Sequence, residues 1–403
     1  MYKRQIEGFT PGGDLYYRDL ASPSAATRNV TGGITGGMGD VKDVEVSYDG
    51  STLLFSLRLP DIPNVMRDQQ NKWDLYEYDI AADTVTRLTT ANSSLLGDDV
   101  SPHYLPDDRI IFSSNRQRQF RATLTDEGKG TGPFYALDEN RNEHAMMMHI
   151  MNSDGSNIQQ LSTNPCHDLD AIVRASPLNA LESGKVVFSR WDNLGGREQI
   201  SLYKMNPDGT ELSQLYGAHS HDTGTSSATI QFTQPRETED GRVMIVARPF
   251  TNTEGGGELI VIDTPQYVEN TQPLKDNIGI LTGPAQEDAT LQDVTTEPGV
   301  ASPGGRFYSV YPIQDGTDRL MVSWSQCRLV EQLADDGDPD TVDTRIVPCT
   351  DENLLNAIVF DPDNPVVPAV GEFTVAPPLY GIWIYDPRDE TQRVIVPGEE
   401  GFM

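Results

Sequence analysis

Ser47-Tyr48-Asp49-Gly50-Ser51-Thr52-Leu53-Leu54-Phe55-Ser56 is a tight turn that runs directly into a β-rich strand, and related phrases return four more times along the 403 residues. The copies are Leu105-Pro106-Asp107-Asp108-Arg109-Ile110-Ile111-Phe112-Ser113-Ser114, Ser183-Gly184-Lys185-Val186-Val187-Phe188-Ser189-Arg190, Glu239-Asp240-Gly241-Arg242-Val243-Met244-Ile245-Val246-Ala247-Arg248 and Asp315-Gly316-Thr317-Asp318-Arg319-Leu320-Met321-Val322-Ser323-Trp324-Ser325. Asp-Gly supplies the positive φ that a tight hairpin demands, and the apolar residues after it suit a pleated, half-buried strand. Self-similarity of this kind is the mark of a repeat architecture, in which each unit needs its neighbours to bury its faces.

A second hairpin follows most copies. It reads Asp74-Leu75-Tyr76-Glu77-Tyr78-Asp79 with Thr86-Arg87-Leu88 returning, then Met148-His149-Ile150-Met151 with Gln160-Leu161, Leu202-Tyr203-Lys204-Met205 with Leu215, and Gly381-Ile382-Trp383-Ile384-Tyr385-Asp386 with Arg393-Val394-Ile395-Val396. In the fourth unit it is only partly recognisable, as Glu258-Leu259-Ile260-Val261-Ile262-Asp263. Two hairpins make a four-stranded meander, the blade of a β-propeller. The spacing exceeds the roughly 40–45 residues of a minimal blade, and polar insertions such as 117–143 and 264–297 account for the excess. The expected fold is therefore all-β, one propeller domain over 6–403, with blades near 44–89, 99–162, 168–216, 227–264 and 300–396. An orphan hairpin at 14–30 is expected to share a split sixth blade with strands beyond Met403, since a ring leaves no strand edge open. Met1-Tyr2-Lys3-Arg4-Gln5 reads as translated sequencing adapter and the end is abrupt, so the ends are expected to be truncated.

Composition agrees with many short strands and tight turns: 37% hydrophobic residues, 35 Gly and 27 Pro. No apolar run approaches the ~20 residues of a membrane-crossing helix. A net charge of −31 argues against nucleic acid as a partner, because phosphate contacts need clustered Lys and Arg. Of three cysteines, Cys327 and Cys349 bracket an acidic loop and are expected to form a disulfide, which places the chain in the periplasm or outside the cell. Cys166 stands alone. There is no CxxCH for haem attachment, no GxSxG elbow, no GxGxxG and no P-loop lysine motif.

Longer phrases carry a resemblance. Asp99-Val100-Ser101-Pro102-His103-Tyr104-Leu105-Pro106-Asp107, Val187-Phe188-Ser189-Arg190-Trp191-Asp192, Leu215-Tyr216-Gly217-Ala218-His219-Ser220-His221 and Ala376-Pro377-Pro378-Leu379-Tyr380-Gly381-Ile382-Trp383 resemble TolB/PD40-type blades, and among these the propeller domain of hydrazine synthase alpha subunit-like proteins. The similarity runs roughly from Gly12 to Val396. It implies an exported bacterial protein whose propeller is joined to flanking domains or protein subunits. The family's redox chemistry depends on c-type haems that this chain has no motif to attach. The expected function is a non-catalytic scaffold or binding propeller. The alternatives are the propeller part of a haem-dependent redox enzyme or, further off, a metal-dependent lyase.

Alternating strand direction sorts the polar loops. Entering loops at Asp98-Asp99, 166–170 and 218–222 share one face with the loops that begin at Asn115-Arg116, Arg190-Trp191-Asp192, Arg248-Pro249 and Gln326-Cys327. If a site exists, His167, Asp168, Asp170, His219 and His221 are its candidate divalent-metal ligands. Arg190, Trp191, Arg116 and Arg248 are candidates for a small anionic ligand, through the planar forks of the arginines. The competing reading has these groups knit blades together, which the recurrence of Arg from blade to blade favours. His103, His144 and His149 read as structural. The acidic stretch from Asp335 to Asp343 lacks the residue order of an EF-hand loop and reads as solvated.

Overall fold

The computed structural model of the protein describes residues 8–19, 21–22, 24–65, 70–89, 97–116, 128, 144–164, 166–176, 182–194, 197–219, 230–249, 255–297, 299–334, 343–359 and 368–399. After a short hairpin, β1 (Tyr16–Tyr17) and β2 (Arg28–Asn29), come a one-turn helix α1 (Gly32–Thr35) and five antiparallel meanders. Blade one is β3 (Asp40–Val46), β4 (Thr52–Arg58), β5 (Trp73–Asp79) and β6 (Thr84–Arg87). Blade two is β7 (Asp99–Tyr104), β8 (Ile110–Ser114), β9 (Met147–Met151) and β10 (Gln159–Gln160). Blade three is β11 (Asp168–Val173), β12 (Val186–Leu194), β13 (Arg197–Met205) and β14 (Ser213–Tyr216).

Blade four begins with β15 (Ile230–Glu237), β16 (Val243–Pro249) and β17 (Glu258–Ile262). A small hairpin, β18 (Tyr267–Glu269) and β19 (Gln272–Pro273), intervenes before β20 (Gln286–Asp288) pairs with β17 as the fourth strand. That strand lies inside the stretch read from sequence as a polar insertion; Gln286-Glu287-Asp288 carries no apolar signature because it is the outer strand. Blade five is β21 (Arg306–Pro312) and β22 (Leu320–Ser325), then an insertion, then β26 (Gly381–Asp386) and β27 (Thr391–Val396). The insertion forms its own sheet from β23 (Arg328–Gln332), β24 (Thr344–Pro348) and β25 (Phe373–Val375), with helix α2 (Asp351–Leu354). Cys327 and Cys349 close its first hairpin in a disulfide, with Cα atoms 5.5 Å apart.

The continuous apolar runs of the second strands follow from burial on both faces. Ile110 and Phe112 pack toward blade one while Ile111 packs toward blade three. Val186 and Phe188 face blade two, and Val187 faces blade four. Val243, Ile245 and Ala247 face blade three, and Met244 and Val246 face blade five. The innermost strands meet in succession: β3 lies against β7, β7 against β11, β11 against β15, and β15 against β21. The hairpin at 14–30 covers the free face of blade one, where Leu15, Tyr17 and Val30 join Phe55, Leu57, Tyr76 and Tyr78.

Each inner strand carries a β-bulge at an equivalent place, at Asp43, Ser101, Asp170, Gln234 and Tyr308. In the first four the residue after the break is left-handed, with φ of 56°, 50°, 55° and 52°. A bulge adds twist and re-aims side chains, and here it brings the bulged residues of the first four inner strands into hydrogen-bonding reach of one another.

Candidate functional site along the axis

The arginines singled out from sequence are turned into the protein. Arg190 is bidentate to Asp168, with Nε donating to Oδ1 at 2.7 Å and Nη2 to Oδ2 at 2.8 Å. Asp168, fully buried, also accepts from Ser162 Oγ at 2.5 Å and Asn164 Nδ2 at 2.9 Å. Tyr203 and Phe188 lie under the guanidinium. Arg116 stands in the same relation one blade earlier, its Nε donating to Asp99 Oδ1 at 3.1 Å and Nη2 to Oδ2. Arg248 is buried and donates Nη1 to the Gly255 carbonyl at 2.6 Å. Trp191 stacks on His167 with ring centroids 5.3 Å apart. His167 is itself buried, its Nδ1 accepting from the Met146 amide.

Of the five candidate metal ligands, the structure brings His167 and Asp168 into this packed interior and Asp170 to the axis. His219 is exposed, and its amide donates to Glu269 Oε1 at 3.1 Å; His221 lies outside the described residues. Among the described residues, no three His, Cys, Asp or Glu side chains gather in a group that could hold a metal ion.

The axis holds a set that shares only Asp170 with those candidates. Asp43 Oδ2 accepts from the Ser101 amide at 2.9 Å, Ser101 Oγ donates to Asp170 Oδ1 at 3.3 Å, and Asp170 Oδ2 accepts from the Gln234 amide at 3.1 Å. Four bulges on four blades are thus linked in a chain, and Tyr308 of β21 lies within electrostatic reach of Asp43 and Asp170. Burial pushes the Asp43 carboxyl up, and Asp170 adds to the rise against the pull of Lys42 and Arg236. Asp43 is nonetheless exposed.

One step further along, His103 Nδ1 lies 3.1 Å from Glu45 Oε1. Burial would raise the Glu45 carboxyl, but the charge and hydrogen bond of His103, with Arg236 adding, hold it below the usual range. Burial and the Glu45 charge raise Tyr311 of β21 and push Tyr48 up to about 12. His103, read as structural from sequence, therefore stands in the axial cluster. Sequence alone carried no signal of this: the bulges show only in the pairing register, and the residues just beyond them, Glu45, His103, Arg236 and Tyr311, differ from blade to blade.

No family model matches the sequence, and a search of curated proteins finds no match. Among solved structures, hydrazine synthase of Kuenenia stuttgartiensis aligns over 97% of this chain at 16% identity with a TM-score of 0.58. The chain spans 42% of that protein's length. An oligogalacturonate lyase from Vibrio parahaemolyticus aligns over 97% of this chain and 86% of its own at 10% identity and a TM-score of 0.37. A TolB-like protein from Agrobacterium tumefaciens aligns over 51% of this chain and 74% of its own at 21% identity and a TM-score of 0.27. At 16% identity a likeness speaks to the fold alone, and that fold, a succession of antiparallel β-meanders, is similar to part of hydrazine synthase.

Proposed function

We propose that this chain is a binding propeller, a scaffold whose axial face takes a charged ligand or a partner domain, in an exported bacterial protein built like the hydrazine synthase alpha subunit. The observation that carries the reading is the convergence of Asp43, Glu45, His103, Asp170 and Arg236 from four blades on one water-accessible space. The recurring arginines, by contrast, serve the framework. The Cys327–Cys349 disulfide supports export, since such bonds persist in oxidising compartments.

A six-bladed ring with its last blade shared is part of the same reading. It is supported by the two ends of the blade series: the 14–30 hairpin sits on blade one, while blade five leaves its outward face open. Tyr311, Met321, Ile382 and Val396 stand 55%, 41%, 41% and 51% exposed there. Two more strands between that face and the hairpin would complete a blade.

The function is tested by thermal shift with manganese, calcium, zinc and inorganic phosphate, on the wild type and on Asp43→Asn/Asp170→Asn. A probe that raises the melting temperature of the wild type and not of the variant is expected. Absence of a shift with every probe, or equal shifts in both proteins, contradicts an axial ligand site and leaves the axis to a structural role.

A further inference from the structure

Away from the axis, a cavity of about 510 Å³ opens between blades four and five, where the β15–β16 and β21–β22 turns come together. That size is within the usual range for small-molecule sites, about 300–1,000 Å³. Its floor is apolar. Met244 sits opposite Val261 across β16 and β17, and Leu320 and Pro312 face them from blade five. Met244, Val261 and Leu320 are all buried members of the core between the two blades.

The walls are acidic: Glu239, Asp240, Glu287, Asp288 and Asp318 against Arg242 and Arg319. Both arginines are already neutralised. Arg242 holds Asp240 at 2.7 Å and Glu287 at 3.1 Å, and Arg319 holds Asp315 at 2.7 Å. Glu239, Asp288 and Asp318 have no basic partner among the described residues. Just behind the wall, Glu258 is hydrogen-bonded to Asp288 and crowded by Asp293; burial, then these two charges, then that hydrogen bond push it up to about 7. An apolar floor beneath carboxylates that lack a basic partner selects a ligand with a hydrocarbon body and a positive head, because each half finds its partner without desolvating a charge in vain.

We infer that this interblade cavity binds a small aliphatic amine, its ammonium against Asp288 and Asp318 and its alkyl body over Met244, Val261 and Leu320. An alkyl carboxylate meets the same floor but the wrong wall, so sign of charge is the discriminating variable. The site is independent of the axial one, so either reading can fail alone.

The experiment is calorimetric titration with hexylamine, hexanoate and 1-hexanol. Hexylamine is expected to bind saturably with a Kd below about 10 mM, and hexanoate not at all. Asp288→Asn/Asp318→Asn should weaken hexylamine by about tenfold or more, the order expected for losing a charge-assisted contact. The charge-matched pair Asp154→Asn/Asp208→Asn, on distant exposed turns, should leave it unchanged. Melting temperatures of the variants check that both remain folded. Absence of saturable hexylamine binding, comparable hexanoate binding, or equal weakening by both double variants would each overturn the proposal.

Discussion

Arg190 and Asp168 are joined by two hydrogen bonds in a place that water barely reaches. Removing one partner leaves an uncompensated buried charge, which typically costs ~3–5 kcal/mol. Arg190→Ala should therefore lower the denaturant midpoint severely, with Arg116→Ala doing the same through Asp99. A loss below about 1 kcal/mol in both would show that the pairs are not structural. Asp74 gives the residue scale a pH dependence. It is buried, and burial with the charge of Asp99 pushes it up to about 7, against the ion pair with Arg87 at 2.6 Å. Glu258 is pushed up to about 7 as well. Carboxyls raised on folding bind protons more tightly in the native state, so their contribution is full below the unfolded value and is lost as pH rises through about 7. Urea midpoints should fall between about pH 5 and pH 8, and less steeply in Asp74→Asn/Glu258→Gln. A rise over that window, or an unaltered slope in the variant, would contradict the assignment. At this scale the sequence was legible for residue type and not for direction. Arg190 was singled out among candidate anion-binding arginines and Asp168 among candidate metal ligands, but that they pair with each other depends on packing that 22 residues of separation conceal.

The Asp-Gly turns show what the sequence makes plain at the scale of the element. Their positive φ and the following apolar run are local properties, so the strands they start were readable directly. Contacts between blades were not. Gly155, at φ 80°, lies under the Leu88 carbonyl of the preceding blade, and an added Cβ would come within 2.2 Å of that oxygen. Gly50, at φ 71°, has open space around it. Gly155→Ala should thus lower the melting temperature more than Gly50→Ala, which pays only the roughly 1 kcal/mol conformational cost. Equal losses would show that the turn does not seat against its neighbour. β20 escaped the sequence reading for the same reason: its pairing with β17 spans an intervening hairpin, and its polar residues give no alternation. The insertion of blade five carries a further expectation. Its disulfide closes a 22-residue separation, worth about 3 kcal/mol in the chain-entropy model. Reduction, or Cys327→Ser, should speed proteolysis within 326–376 while the blades stay protected. Unchanged cleavage there would mean that the β23–β25 sheet holds without the bond.

Across the whole molecule, five blades in succession bury four shared cores, and only the first and last present a face to something else. The first face is covered by the hairpin at 14–30, and the last exposes Met321 and Ile382. Met321→Lys/Ile382→Lys should cost this chain little, within about 0.5 kcal/mol. In a form carrying the two further strands of a sixth blade, it should prevent their docking. The axial residues belong to this scale as well, since Asp43, His103, Asp170 and Arg236 meet only because four separate meanders are arranged about one line. No local pattern could bring them together on the page. The central claim is that function resides on this axis while the arginine–aspartate pairs hold the framework. Its most direct test is one set of melting curves, comparing Arg190→Ala with Asp43→Asn/Asp170→Asn in the presence and absence of the probe that stabilises the wild type. The account predicts a large loss of stability in Arg190→Ala, and near-native stability with no probe-induced shift in the axial variant. A stable Arg190→Ala protein that has lost the shift, beside an axial variant that keeps it, would contradict the account.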